Sequence, residues 1–152
     1  MTNTNQSPTP LQPDIRICAH ANLRKAMRVV SQAYDAALRP SGLRATQFTL
    51  LAVLAGQGEL PLTKLSEILV LDRTTLTRNL KPLLAQGWLE IGREKDERIR
   101  LISITDAGRS LVAEATPLWR EAQIRVTEKL GELRLTGLIG DLNDLVDAVR
   151  VE

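Results

Sequence analysis

Between Asp72 and Gly87 the chain reads DRTTLTRNLKPLLAQG, and its apolar positions recur at helical spacing. Leu76, Leu80 and Leu83 fall on one side of the predicted helix. Thr74, Thr77, Arg78 and Lys81 fall on roughly the opposite side, because residues three and four apart stand side by side on a helix. Asp72 is placed to cap the start, and Gly87 follows the end. The outer face carries hydroxyls and cations and no carboxylate. Such a face suits a groove walled by phosphates, where Arg also reads guanine edges. Taken alone, it fits a solvated basic surface equally well, so its neighbours decide.

Upstream, residues 1–13 are rich in Thr, Asn, Gln, Ser and Pro, and too poor in apolar surface to offset ordering; a mobile tail is expected. Asp14 is then expected to cap one long helix reaching to about Leu38, with an apolar stripe from Ile15 through Leu23, Met27, Val30 and Tyr34. Arg16, His20, Arg24 and Arg28 form a row at spacing four on another face. Pro40, Ser41 and Gly42 break this helix. A second helix is predicted over Ala45 to Ala55, with Phe48, Leu51, Ala52 and Leu54 inward. Thr63 is expected to cap a third, Lys64 to Leu69, with Leu65 and Ile68 inward. Two short helices joined by a tight turn, the second one basic, make a helix-turn-helix.

After Gly87 the period changes. Trp88 to Arg93 and Arg98 to Ile104 read as two strands linked by Glu94, Lys95, Asp96 and Glu97. The pattern first puts Ile99 and Leu101 inward and Arg98 and Arg100 outward, then slips at Ile102 and Ile104, which implies a bulge or cover on both faces. A hairpin here, with Arg93, Lys95, Arg98 and Arg100 at its tip and flanks, is a wing. Thr105 is placed to cap a helix to about Leu130, with Leu111, Ala115, Leu118, Ala122 and Val126 apolar and a kink expected at Pro117. A last helix, about Leu135 to Val149, lines up Leu138, Leu142, Leu145 and Val149. The central module covers only part of the apolar stripes at both ends of the chain. They are expected to pack together and against a second copy, which would set two recognition helices about one DNA turn apart. The other arrangement open to them is a monomeric bundle.

The chain has 152 residues, enough for one domain with a core, and its 3% aromatic content points to an aliphatic, mostly helical one. A net charge of +2 does not imply nucleic acid, so the placement of the charges carries that argument. One Cys and one His exclude an internal disulfide and a Cys/His zinc site, and no cofactor is indicated. The polar start is not a secretory signal, and no run is long enough to span a bilayer, so a cytoplasmic protein is expected. Without HExxH, G-x-S-x-G or a phosphate-cradling glycine loop, an enzyme is not expected.

Three stretches resemble the MarR family of bacterial winged-helix transcription regulators. Asp96-Glu97-Arg98 followed by Ile99 to Gly108 is similar to the family's D-x-R wing, strand and "LT-x-x-G" helix start, with Ile104 where Leu is usual. Leu71 to Arg78 resembles the start of the recognition helix, and Gly42-Leu43 with Thr46-Gln47-Phe48 the second helix. The resemblance covers nearly everything from Asp14 onward. It implies a mainly α fold with a small β-hairpin wing: one domain over 14–152, with dimerisation helices in 14–44 and 105–152 around a winged helix-turn-helix over 45–104. It implies a homodimer that binds a near-palindromic operator on double-stranded DNA, usually a repressor released by a small molecule or by oxidation. The DNA-contacting residues implied are Arg73, Thr74, Thr75, Thr77, Arg78, Lys81, Arg93, Lys95, Asp96 and Arg98. Arg98 would enter the minor groove, with Asp96 holding it; Arg suits a narrow, strongly negative groove.

Two switches are compatible with the residues. Cys18 reads either as a small core or interface residue or as a redox centre, as in a hydroperoxide-sensing branch of the family. Tyr34 matches one Tyr partner of that branch, whereas Ala45 stands where a second is expected. Alternatively a small aromatic or phenolic acid is held near His20, Arg24 and the rest of the cationic row, which otherwise is a solvated face. A winged helix serving only protein–protein contact is the rival function; there the basic recognition face would be lost.

Overall fold

The computed structural model describes residues 14–93 and 99–150, the side chain of Arg93 excepted. The expected tail over 1–13 and the wing-tip residues Lys95, Asp96 and Arg98 lie outside the described residues. The elements are α1 (Ala19–Leu38), α2 (Ala45–Gln57), β1 (Leu60–Pro61), α3 (Leu62–Leu69), α4 (Arg73–Ala85), β2 (Leu89–Arg93), β3 (Arg100–Ile104), α5 (Asp106–Leu130) and α6 (Glu132–Val149). The chain forms two compact units, divided between Gln32 and Ala33 within α1.

The first unit corrects the single long helix. Asp14 caps only a 3-10 turn, Ile15–Ile17, and Cys18 is extended (ψ 113°) before α1 starts at Ala19. The cause is local. The Asp14 carboxylate accepts from the Arg16 amide at 3.0 Å and pairs with the Arg16 guanidinium at 2.9 Å. Asn22 secures the break by donating to the carbonyls of Arg16 and Cys18, each at 2.9 Å. Arg16 therefore leaves the cationic row, and Cys18 precedes the helix instead of lying in its first turns.

In the second unit an aliphatic core gathers Leu38, Leu43, Leu51, Leu54, Leu65, Leu76, Leu80, Leu83, Ile102 and Ile104. Phe48 of α2 stacks on Trp119 of α5 at 6.0 Å between ring centroids. The sheet is antiparallel in the order β1-β3-β2. Its register runs unbroken from Leu89 opposite Ile104 to Arg93 opposite Arg100. There is thus no bulge. Ile102 and Ile104 are the buried pair, and Ile99 is exposed, so the inward phase is the opposite of the one read from Ile99 and Leu101. Packing decides the phase: Ile102, paired between Leu60 and Ile91 at the sheet centre, and Ile104 enter the aliphatic core.

The two-residue strand β1 had no signal in the sequence, and it moves the start of α3. Pro61 is extended (ψ 143°) against Leu101, and the helix begins at once with Leu62, leaving Thr63 inside it instead of capping it. Leu65 faces the core as expected, Leu62 joins it, and Ile68, expected inward, is exposed. α5 continues through Pro117. Gly131 (φ 91°) ends α5 and starts α6 in one step, so α6 begins at Glu132, earlier than predicted.

Candidate nucleic-acid interface

The reading helix α4 is set by its first turn. Asp72 is the N-cap; its carboxylate accepts the Thr75 amide at 2.8 Å and the Thr75 hydroxyl at 2.6 Å. These bonds, the hydroxyl's foremost, hold the Asp72 pKa below the ordinary carboxylate value. At the other end Gly87 adopts φ 70°, a left-handed turn that glycine accepts without strain. Leu76, Leu80 and Leu83 are buried beneath the helix.

The opposite face is open. Arg73, Thr74, Thr77, Arg78 and Lys81 are exposed. The ion pairs among the described residues join Arg16 to Asp14, Lys64 to Glu67 and Arg125 to Glu121, and none involves this face. Thr77 donates its hydroxyl proton to the Arg73 carbonyl at 2.7 Å, which leaves the hydroxyl oxygen as an acceptor and the methyl group outward. Thr75 differs from its neighbours. It is half-buried and its hydroxyl is engaged by Asp72, so it shapes the cap instead of the outer face.

Among the described residues, a cleft lies on either side of α4. One, of about 590 Å³, is lined by Thr63, Arg73, Thr77, Ile99 and Arg100 with Pro61 and Leu62. It joins the base of the wing to the N-terminal half of the helix. The other, of about 390 Å³, lies towards α2 and is lined by Arg44, Thr46, Gln47, Leu50, Arg78, Asn79 and Pro82. Arg44 and Asn79 lie outside the residues expected at the interface, whereas Arg100 is one of the cations expected on the wing. Arg44 precedes a different helix far from α4 in sequence.

The wing is fixed to the helix-turn-helix by a tight joint. Thr105 donates its amide to the Trp88 carbonyl at 3.1 Å and its hydroxyl to the Gly87 carbonyl at 2.7 Å. The same hydroxyl accepts from the Gly108 amide at 3.1 Å. A side chain at Gly108 would collide with the Trp88 carbonyl and with Ile104.

Cys18 is half-buried, and His20 and Arg24 are exposed on α1. Tyr34 donates to the Gln123 side chain at 2.5 Å, and burial raises its phenol pKa. Among the described residues no group of His, Cys, Asp and Glu is placed to hold a metal, and no helix is long and apolar enough to cross a membrane.

The MarR family model matches residues 41–99, which take in α2 to the base of β3. The chain is 38% identical to the Mycobacterium tuberculosis transcriptional regulator MosR, whose crystal structure contains DNA, over 88% of this chain and 99% of that one, with a TM-score of 0.78. The chain belongs to the MarR family. It is a winged-helix transcriptional regulator. Two solved structures of lower identity share the fold. An Escherichia coli MarR mutant crystallised with operator DNA is 21% identical over 86% of this chain and 95% of that one, with a TM-score of 0.78. BpsR of Bordetella bronchiseptica, whose DNA binding is regulated by 6-hydroxynicotinic acid, is 23% identical over 90% of this chain and 98% of that one, with a TM-score of 0.80. No curated protein matches the chain.

Proposed function

We propose that this MarR-family protein is a homodimeric repressor that grips a near-palindromic operator by seating α4 in the major groove. The observation that carries the reading is the outer face of α4: Arg73, Thr74, Thr77, Arg78 and Lys81 are exposed together, with no carboxylate among them. Arg73 and Arg78 reach base edges or phosphates, Lys81 a phosphate, and Thr77 offers an acceptor and a methyl to a base. From the wing, Arg98, oriented by Asp96, enters the adjacent minor groove, while Arg93 and Lys95 bear on the backbone.

The dimer is supported by α6, where Leu133, Leu138, Ile139, Leu142, Leu145 and Val146 are all exposed. Such a stripe on a helix needs a partner surface, and a twofold pair would place the two α4 helices one turn of DNA apart. The effector we propose is a small aromatic acid, the class suggested by the compound that regulates BpsR. Action on DNA puts the protein in the cytoplasm.

The test is selection of bound duplexes from a random pool. An inverted repeat is expected, released by aromatic acids; a single half-site, or no enriched sequence, overturns the proposal. Release by peroxide and not by acids, abolished in Cys18→Ser, would instead make oxidation the switch.

A further inference from the structure

We infer that the cleft between α2 and α4 seats one phosphate of the DNA backbone, with Arg44 as its principal cation. This rests on the reading of α4 as the groove-binding helix. A helix in the major groove has a phosphate wall on each side, so groups beside α4 meet the backbone, not the bases. On the α2 side those groups are Arg44, Thr46 and Gln47, facing Arg78 and Asn79 across a cleft of about 390 Å³.

The lining holds two guanidinium groups, a hydroxyl and two amides, and no carboxylate. The Gln47 side-chain oxygen accepts the Arg44 amide at 2.9 Å, which leaves the Gln47 amide nitrogen to donate outward. Arg44 also borders a second cleft with Asp35 and Arg39. There the Asp35 carboxylate accepts the Ala45 amide at 2.7 Å, and among the described residues it forms no ion pair with either arginine. The Arg44 guanidinium is therefore an available cation, held beside Arg78 by the N-terminal turn of α2. A phosphate diester seated there takes charge-assisted bonds from Arg44, with the positive charge of Arg78 nearby.

The test is fluorescence anisotropy of the full chain on its selected operator and on one fixed non-operator duplex, over about 0.05 to 0.2 M salt. Arg44→Ala is expected to flatten the dependence of log Kobs on log salt by about 0.9 per bound copy. Affinity should fall several-fold on operator and non-operator duplexes alike, while Arg44→Lys keeps the slope. An unchanged slope in an Arg44→Ala protein that melts like the wild type overturns the assignment. So does a loss confined to one base sequence with the slope intact, which would make Arg44 a base reader. A wild type without salt-dependent binding overturns the DNA reading of α4 and this seat with it.

Discussion

Thr75 is tied twice to Asp72, by its amide at 2.8 Å and by its hydroxyl at 2.6 Å. The pair closes the first turn of α4 and fixes the direction in which Arg73 and Thr74 leave it. Asp72→Ala removes both acceptors and should lower the thermal midpoint. Asp72→Asn keeps one acceptor and should lower it less. Because the folded-state pKa of Asp72 is depressed, its contribution is present above the ordinary carboxylate range and is lost as pH falls through the folded value. The difference in melting between wild type and Asp72→Asn should therefore be level at neutral pH and shrink in acid. A difference that grows in acid would contradict the cap.

The exposed cations of α4 should separate by role. Lys81→Ala is expected to weaken all duplexes alike and to reduce the salt slope by about 0.9 per copy. Arg78→Ala should in addition narrow the gap between operator and random duplex, by about 1 to 3 kcal/mol for one bidentate base contact. Competition binding at fixed salt measures both.

Gly108 lies where the wing meets α5, against the Trp88 carbonyl that the Thr105 amide already engages. Neither neighbour is the free end of a flexible side chain. Gly108→Ala should cost about 3 kcal/mol and lower the thermal midpoint by about 6 to 12 °C. Calorimetry checks this, and an unshifted midpoint would place the joint differently.

Val70 turns the chain between α3 and α4 at φ 51°, a left-handed conformation that a β-branched side chain resists. It is half exposed, so it contributes little packing there. Val70→Gly relieves the strain and loses some chain entropy, for a net gain of up to about 1 kcal/mol. Chemical denaturation should show a higher midpoint at an unchanged slope.

The sequence made the helix-turn-helix legible because its signals are local. Asp72, Gly87 and the Leu76–Leu80–Leu83 spacing each act within a few residues of the helix they define. What stayed hidden depends on distant partners. β1 is two residues long, contains Pro61, and exists only because β3 runs beside it. The inward phase of β3 was likewise set from a distance, by the core that Ile102 and Ile104 enter. The break at Cys18 came from Asp14 turning to Arg16, a competition that helix capping rules do not anticipate. Arg44 joined the candidate interface only through folding, since nothing near it in the chain marks it as a neighbour of Arg78.

Hydroxyl-radical footprinting of the full chain on its selected duplex bears most directly on the paired use of α4. Two protected half-sites centred about 10 base pairs apart, or a multiple of that, are expected, and both should vanish together in Arg78→Ala. A single protected patch, or a pair that survives in Arg78→Ala, would contradict it.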